Sequence, residues 1–238
     1  PDGRYAISGS DDRSLKVWEL ATGREVYTLA GHKDLVRAVA VTPDGRTFIS
    51  GSGDGTLKVW ELETGREVYT LVEPEWGVQA VAVTPDGRTV IYASFYRTLK
   101  VWNIPTELNA GLRVGRDART FARHEGVVLA VAVTPDGRIA ISTSYDGILK
   151  VWDISTQPNA GLQAGWRACP LAGHEDAVAA VLVTPDGRYA ISGSDDHTLK
   201  VWDLHTGREV HTLAGHEGWV GAVAVTPDGR YAISASHD

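Results

Sequence analysis

The chain has 238 residues, 43% hydrophobic and 22% charged, the composition of a soluble globular domain with a real core. Its net charge is -7, with 23 Lys and Arg interleaved among 30 Asp and Glu, which argues against a nucleic-acid groove or an anionic membrane surface as partner. The single cysteine, Cys169, leaves no disulfide framework and no paired-cysteine zinc site, and it suits a reducing, cytoplasmic compartment.

No apolar run reaches the roughly 18 residues that span a bilayer, and the N-terminus lacks the basic-then-apolar order of a signal peptide. The chain holds no methionine and opens on Pro1-Asp2-Gly3, a tripeptide that recurs inside it. It therefore reads as a piece of a longer protein.

Pro-Asp-Gly begins at residues 1, 43, 85, 135, 185 and 227, spaced by 42, 42, 50, 50 and 42 residues. Residues 1–238 thus form one domain of five full repeats and a partial sixth. The repeat starting at 185 is the best preserved. The elements around it, in chain order, are a strand at 177–183, a turn at Thr184-Pro185-Asp186-Gly187, and strands at 189–193, 198–202 and 209–213. Proline at the second and glycine at the fourth position suit a type I turn. Ser194-Asp195-Asp196-His197 and Thr206-Gly207 supply the other two turns, and Gly51-Ser52-Gly53-Asp54-Gly55 is a variant of the first of these. Helical periodicity is nearly absent. The two 50-residue units insert eight residues after their third strand, at 105–112 and 155–162, sharing Asn-Ala-Gly-Leu. Arg113, Arg116, Arg119 and Arg123 follow the first insertion, and Trp166 and Arg167 the second.

A Gly-His pair near one end of the repeat and a Trp-Asp pair near the other recur along the chain. The first stands at Gly31-His32, Gly173-His174 and Gly215-His216, with Arg123-His124 as a variant. The second stands at Trp152-Asp153 and Trp202-Asp203, with Trp18-Glu19, Trp60-Glu61 and Trp102-Asn103 as looser copies. A 42-residue period with these pairs resembles the WD-repeat family. The resemblance implies an all-β propeller of four-stranded antiparallel blades, with sequence repeats offset from blades. Near-identical repeats of the VTPDGRYAISGSDD style look like those appended to bacterial signalling ATPases.

The resemblance also implies a buried hydrogen-bonded network in each blade. Matched by position, its members are His32, Ser50, Asp54 and Trp60; then His124, Ser142, Asp146 and Trp152; then His174, Ser192, Asp196 and Trp202. The N-terminal unit has Ser8, Asp12 and Trp18 without a histidine, which His216 would supply if the ring closes through strands 219–225 and 231–234. The third unit keeps Trp102 but has Pro74, Tyr92 and Tyr96 at the other three positions, so aromatic packing should hold it.

A Ser-His-Asp set invites a hydrolase reading, but a catalytic site is normally built once and this set recurs, so its role is structural and the protein is not an enzyme. No phosphate loop, no His-Glu-x-x-His and no metal-spaced Cys-His cluster is present, so neither cofactor nor metal is expected. Asp11-Asp12 and Asp195-Asp196 read as solvated turn residues, since a calcium loop needs more oxygen ligands.

By the same resemblance, one rim of the channel is crowned by two positions per repeat at the start of the innermost strand and by one just before the network aspartate. The first are Leu35, Arg37, Gly77, Gln79, Val127, Leu129, Ala177, Ala179, Trp219 and Gly221. The second are Asp11, Gly53, Phe95, Tyr145, Asp195 and His237, with Trp76 and Tyr96 close by. They differ in almost every copy, and aromatics recur among them, as at a protein-binding hot spot. Leu35, Arg37, Trp76, Gln79, Phe95, Tyr96, Leu129, Tyr145 and Trp219 are the candidate contacts for a protein or peptide partner. Drift at unconstrained loops is the competing reading, and Phe95 and Tyr96 have another, filling the space left by the missing network. The expected function is a non-catalytic scaffold or sensor. A structural module that self-associates through incomplete terminal blades is the alternative.

Overall fold

A computed structural model describes residues 2–72, 77–104, 113–115, 118–155 and 168–238. Every described element is a strand, and no helix among these residues is long and apolar enough to cross a membrane. They fall into two compact units, Pro1–Thr120 and Phe121–Asp238.

In the first unit, β1 (Tyr5–Gly9), β2 (Ser14–Glu19) and β3 (Arg24–Ala30) make a three-stranded sheet. The second sheet is an antiparallel meander of β4 (Val36–Val41), β5 (Thr47–Ser52), β6 (Thr56–Glu61) and β7 (Glu67–Val72). The third contains β8 (Val78–Val83), β9 (Thr89–Ser94) and β10 (Thr98–Asn103). β11 (Arg113–Gly115) then runs back to the second sheet and pairs parallel with β7, Arg113 opposite Tyr69. Its fifth strand was not foreseen, because a three-residue segment after an insertion carries no periodicity to read. β12 (Arg119–Arg123), in which the two units divide, is the outer strand beside β10.

The second unit holds the fourth sheet, β13 (Val128–Val133), β14 (Ile139–Ser144), β15 (Ile148–Asp153) and β16 (Ala168–Ala172). The fifth is β17 (Val178–Val183), β18 (Tyr189–Ser194), β19 (Thr198–Asp203) and β20 (Arg208–Ala214). A two-stranded sixth pairs β21 (Val220–Val225) with β22 (Ala232–Ser236).

The turns explain the regularity. In Thr184-Pro185-Asp186-Gly187 the Gly187 N–H donates to the Thr184 carbonyl at 2.8 Å, and the Thr184 hydroxyl donates to Asp186 at 2.6 Å. Asp186 in turn accepts the Arg188 N–H at 3.1 Å, so side chains satisfy the turn that the proline starts. The same bonds recur at Thr42, Thr84, Thr134 and Thr226. In the glycine-rich variant, Gly55 adopts the left-handed φ of 78° that Arg13, Arg97 and His197 take in the equivalent turns.

β5, β9, β14 and β18 are buried after their first residue, and within each unit neighbouring sheets pack face to face. The cores are therefore shared between sheets. Ile49, Leu57, Val59 and Leu71 of the second sheet pack with Val78, Val90, Tyr92 and Trp102 of the third. Ile141, Leu149 and Leu171 of the fourth pack with Val178, Ala190 and Trp202 of the fifth. A single sheet could not bury both faces alone.

Candidate functional site

The structure brings the expected tetrads together. In the second sheet the Trp60 indole N–H donates to Ser50 Oγ at 2.9 Å, His32 Nε2 is 2.7 Å from the same oxygen, and His32 Nδ1 is 3.1 Å from Asp54. In the fifth, Trp202 donates to Ser192 at 2.8 Å, His174 Nε2 lies 2.7 Å from it, and His174 Nδ1 is 2.7 Å from Asp196. An ionised aspartate only accepts, so Nδ1 carries the histidine proton and Nε2 accepts from the serine hydroxyl. The chain of donors thus runs Trp to Ser, Ser to His, His to Asp.

This is the proton order of a hydrolytic triad, yet Ser50, Ser142 and Ser192 have 0% exposure and are pinned by an indole. No substrate carbonyl can approach such a hydroxyl. The network's work is to tie the loop before an innermost strand to the two strands beyond it.

Each aspartate is further held. Burial alone would raise the Asp196 pKa, but the Thr198 hydroxyl, His174 and the Glu175 N–H outweigh it and hold the group at about 2. Burial likewise opposes ionisation of Asp54, and His32, Thr56 and the Lys33 N–H overcome it, holding the carboxyl far below its usual range. Thr56 and Thr198 were missed in the sequence, although a hydroxyl recurs two residues after those aspartates.

The fourth sheet carries the slackest set. His124 Nε2 keeps Ser142 at 2.7 Å and Trp152 keeps it at 2.8 Å, but His124 Nδ1 stands 3.5 Å from Asp146 and has no hydrogen-bond partner. Burial, then the Lys150 charge, lowers the His124 pKa to about 4 despite Asp146. His174 is also lowered by burial, against its closer aspartate.

The N-terminal set differs from the expectation. Trp18 donates to Ser8 at 3.0 Å and Asp12 caps Ser14, but His216 is not their partner. It bonds Ser234 at 2.8 Å and Asp238 at 3.0 Å within its own two-stranded sheet, because loop and strand there carry the full 18- and 22-residue spacings of the other sets.

In the third sheet Tyr92 takes the serine position with 0% exposure, and Tyr69 packs against Trp102 at 5.1 Å between ring centres. Pro74 lies outside the described residues. Tyr92 is fully buried at the serine position, whereas Phe95 and Tyr96 are 38% and 48% exposed. Thr98, the counterpart of Thr56 and Thr198, keeps a buried hydroxyl without a partner.

A second recurring group was also missed. Lys58 Nζ bonds Glu67 at 2.7 Å and Thr70 at 3.2 Å, and Lys200 bonds Glu209 at 2.9 Å and Thr212 at 2.8 Å. Lys16 pairs with Glu25 and Thr28 in the first sheet. A lysine two residues before every repeat tryptophan, at 16, 58, 100, 150 and 200, was the available signal. The glycine of Gly-His belongs here: a Cβ on Gly31 would lie 3.0 Å from Trp60 and 3.2 Å from Glu67. Arg123 replaces it in the fourth sheet, where Lys150 donates to the Arg123 carbonyl instead.

The candidate rim positions share one construction. The N–H of the residue before the network aspartate donates to the carbonyl at the start of the innermost strand, joining Gly53 to Leu35, Phe95 to Gly77, Tyr145 to Val127, Asp195 to Ala177 and His237 to Trp219. The ladder then bulges in every copy, at 37, 79, 129, 179 and 221, which re-aims those side chains. Arg37, Phe95, Tyr96, Tyr145 and Trp219 are exposed, while Leu35, Gln79 and Leu129 are half-buried. The Gln79 Oε1 is buried without a hydrogen-bond partner. Trp219 stacks on His237 at 3.6 Å. Trp76, the insertions at 105–112 and 156–162, Arg116, Trp166 and Arg167 lie outside the described residues.

At the opposite strand ends of the first unit, a cleft of about 1200 Å³ is lined by Tyr27, Leu62 and Val68 with Arg4, Arg46 and Arg88. Among the described residues no cluster of three or more His, Cys, Asp or Glu could hold a metal.

The profile of the family described as WD domain, G-beta repeat matches residues 1–19, 23–61, 65–103, 115–153, 167–203 and 207–238. Ribosome biogenesis protein BOP1 homologs of Drosophila willistoni and Drosophila persimilis are 51% identical over 43 residues, and that of Drosophila erecta 49% over the same length. The match takes in 18% of this chain and 5% of each relative, about the length of one repeat.

Proposed function

Because the chain belongs to the WD-repeat family, we propose that it is a non-catalytic scaffold or sensor module that holds a protein or peptide partner on the bulged rim. The observation that carries this is the pairing of a constant backbone with changing side chains. The same hydrogen bond and the same bulge recur in the second to sixth sheets, while the residues placed there run from glycine to tryptophan. Exposed Phe95, Tyr145 and Trp219 are the aromatic anchors that such interfaces favour.

The free, exposed Cys169 supports a reducing compartment such as the cytoplasm. The VTPDGRYAISGSDD style supports a place in a bacterial signalling protein, an origin to which the insect relatives lend nothing. The BOP1 resemblance covers one repeat, so ribosome biogenesis is not carried over.

The test compares proteins retained from cell extract by the wild-type chain, by a Phe95→Ala, Tyr145→Ala, Trp219→Ala triple variant, and by an Arg46→Gln, Arg88→Gln control at the opposite strand ends. An identified protein held by the first and last but lost by the triple variant is the expected result. Identical retention by all three would sink the rim reading.

A second reading has its own observation. Among the described residues Ser8 and Trp18 stand without a histidine, and His216, Ser234 and Asp238 without a tryptophan, beside the exposed Tyr231 and Ile233. Two copies exchanging strands would complete such sets. Light scattering would then show a mass that rises with concentration above 25.6 kDa, whereas a constant value would reject it.

A further inference from the structure

Arg37 occupies the bulge of β4, and its guanidinium lies 5.2 Å from the centre of the Phe95 ring on the neighbouring sheet. A glycine makes this stack possible. A Cβ on Gly77 would fall 2.9 Å from Phe95 Cδ2 and 3.3 Å from the Gly53 backbone, so any side chain there would lift the ring away. Among the bulge residues Arg37, Gln79, Leu129, Ala179 and Gly221 it is the one cation.

Arg37 makes no ion pair among the described residues, in a chain whose net charge is -7. The nearest acid along its loop, Asp34, is turned to its own backbone, accepting the Leu35 N–H at 2.8 Å, with its other oxygen set against Gly53. A guanidinium laid against an aromatic face keeps its in-plane N–H groups directed away from the ring, and their fork matches the two oxygens of a carboxylate. Holding the side chain in place beforehand removes part of the ordering cost of binding.

We propose that Arg37, stacked on Phe95 above Gly77, is the anchor for an acidic peptide segment of a partner protein, one Asp or Glu carboxylate taking the edge of the guanidinium. The assignment rests on the rim reading and gives it a chemistry. A cation with no ion pair among the described residues selects an acidic segment, and the exposed Tyr96 next to Phe95 adds an aromatic face to the same stretch of rim.

The test is fluorescence anisotropy of a labelled Gly-Glu-Asp-Glu-Phe-Glu-Asp-Gly peptide, amidated at its C-terminus, titrated with the full chain at low and physiological salt. Saturable binding is expected, at least tenfold weaker for Arg37→Gln, several-fold weaker for Arg37→Lys and Phe95→Leu, and unchanged for Arg46→Gln in the turn that follows the same strand. A peptide with Gln and Asn in place of its acids should not bind. Thermal unfolding of Arg37→Gln should match wild type, which separates lost contact from lost fold. No saturable binding, equal loss in Arg46→Gln, or binding only by a phosphoserine version of the peptide would each overturn the proposal. If the acidic peptide fails while the Phe95, Tyr145 and Trp219 triple variant still loses a retained protein, the rim reading survives and the Arg37 assignment alone falls.

Discussion

The fourth and fifth sheets carry His, Ser, Asp and Trp at the same spacing, yet one network is closed and the other open at its acidic end. The serine side is the same in both, with His to Ser at 2.7 Å and Trp to Ser at 2.8 Å. The difference lies outside the four named residues. Thr198 braces Asp196, whereas Ile148 stands at that position beside Asp146. Gly173 and Glu209 flank Trp202, whereas Arg123 replaces the glycine and β16 reads Ala-Cys-Pro-Leu-Ala with no acid. The network is therefore a larger cooperative unit, and losing its outer members loosens the His–Asp contact first. The third sheet continues the series, with Tyr92 and Tyr96 at the serine and aspartate positions and Thr98 left stranded.

The largest expected effect comes from removing the histidine. His174→Ala breaks two bonds and leaves Ser192 and Asp196 short of a partner, which should cost about 3 kcal/mol. His124→Ala breaks one good bond and should cost about 1 kcal/mol less, read as the difference in urea midpoints at constant m-value. Equal costs would mean that the 3.5 Å contact to Asp146 is as strong as the 2.7 Å contact to Asp196.

Acid should separate the networks next. An unfolded histidine protonates near pH 6.5, while His124 in the fold stays neutral to about 4. Between those values the unfolded chain binds more protons, so stability present above pH 6.5 falls as pH drops and this contribution is gone by about pH 4. The loss is on the order of 3 kcal/mol. Asp196, held at about 2, acts lower: its contribution is present above the ordinary carboxylate range and disappears as pH falls through 2. Ring-proton NMR titration of His124 checks the first window, and a midpoint near 6.5 would refute it.

Smaller effects probe the braces. Thr198→Val should destabilise by about 1 kcal/mol, but Thr98→Val should be neutral or stabilising, because its hydroxyl has nothing to lose. Ile148→Thr should return about 0.5–1 kcal/mol to the fourth sheet by giving Asp146 the bond that Asp54 and Asp196 already have. Thermal melts of these three variants suffice, and a cost for Thr98→Val would contradict the stranded hydroxyl.

Much of this was legible because repetition separates constant from variable positions. The Pro-Asp-Gly turns and the order of strands could be placed by counting, and the three tetrads by matching positions to the family that the repeat resembles. Thr56, Glu67 and Lys58 were equally periodic and went unread, because a common polar residue signals nothing until its burial is known. His216, offered to the N-terminal set on the condition that the ring closes, instead keeps the 18- and 22-residue spacings to Ser234 and Asp238, a signal that was available in the sequence.

The sequence by itself determined the repeat, the order of strands and turns within it and the residue types that must pair once buried. Those follow from alternation, turn chemistry and the cost of an unsatisfied polar group. Tertiary structure alone decided that β11 joins β7 in parallel, that Tyr92 is buried in the third sheet while Phe95 is exposed, and that Arg37 lies on the Phe95 ring. These depend on which sheet face meets which neighbour and how closely, and that is settled by packing between segments about 40 residues or more apart in a chain whose local pattern is nearly the same in every repeat.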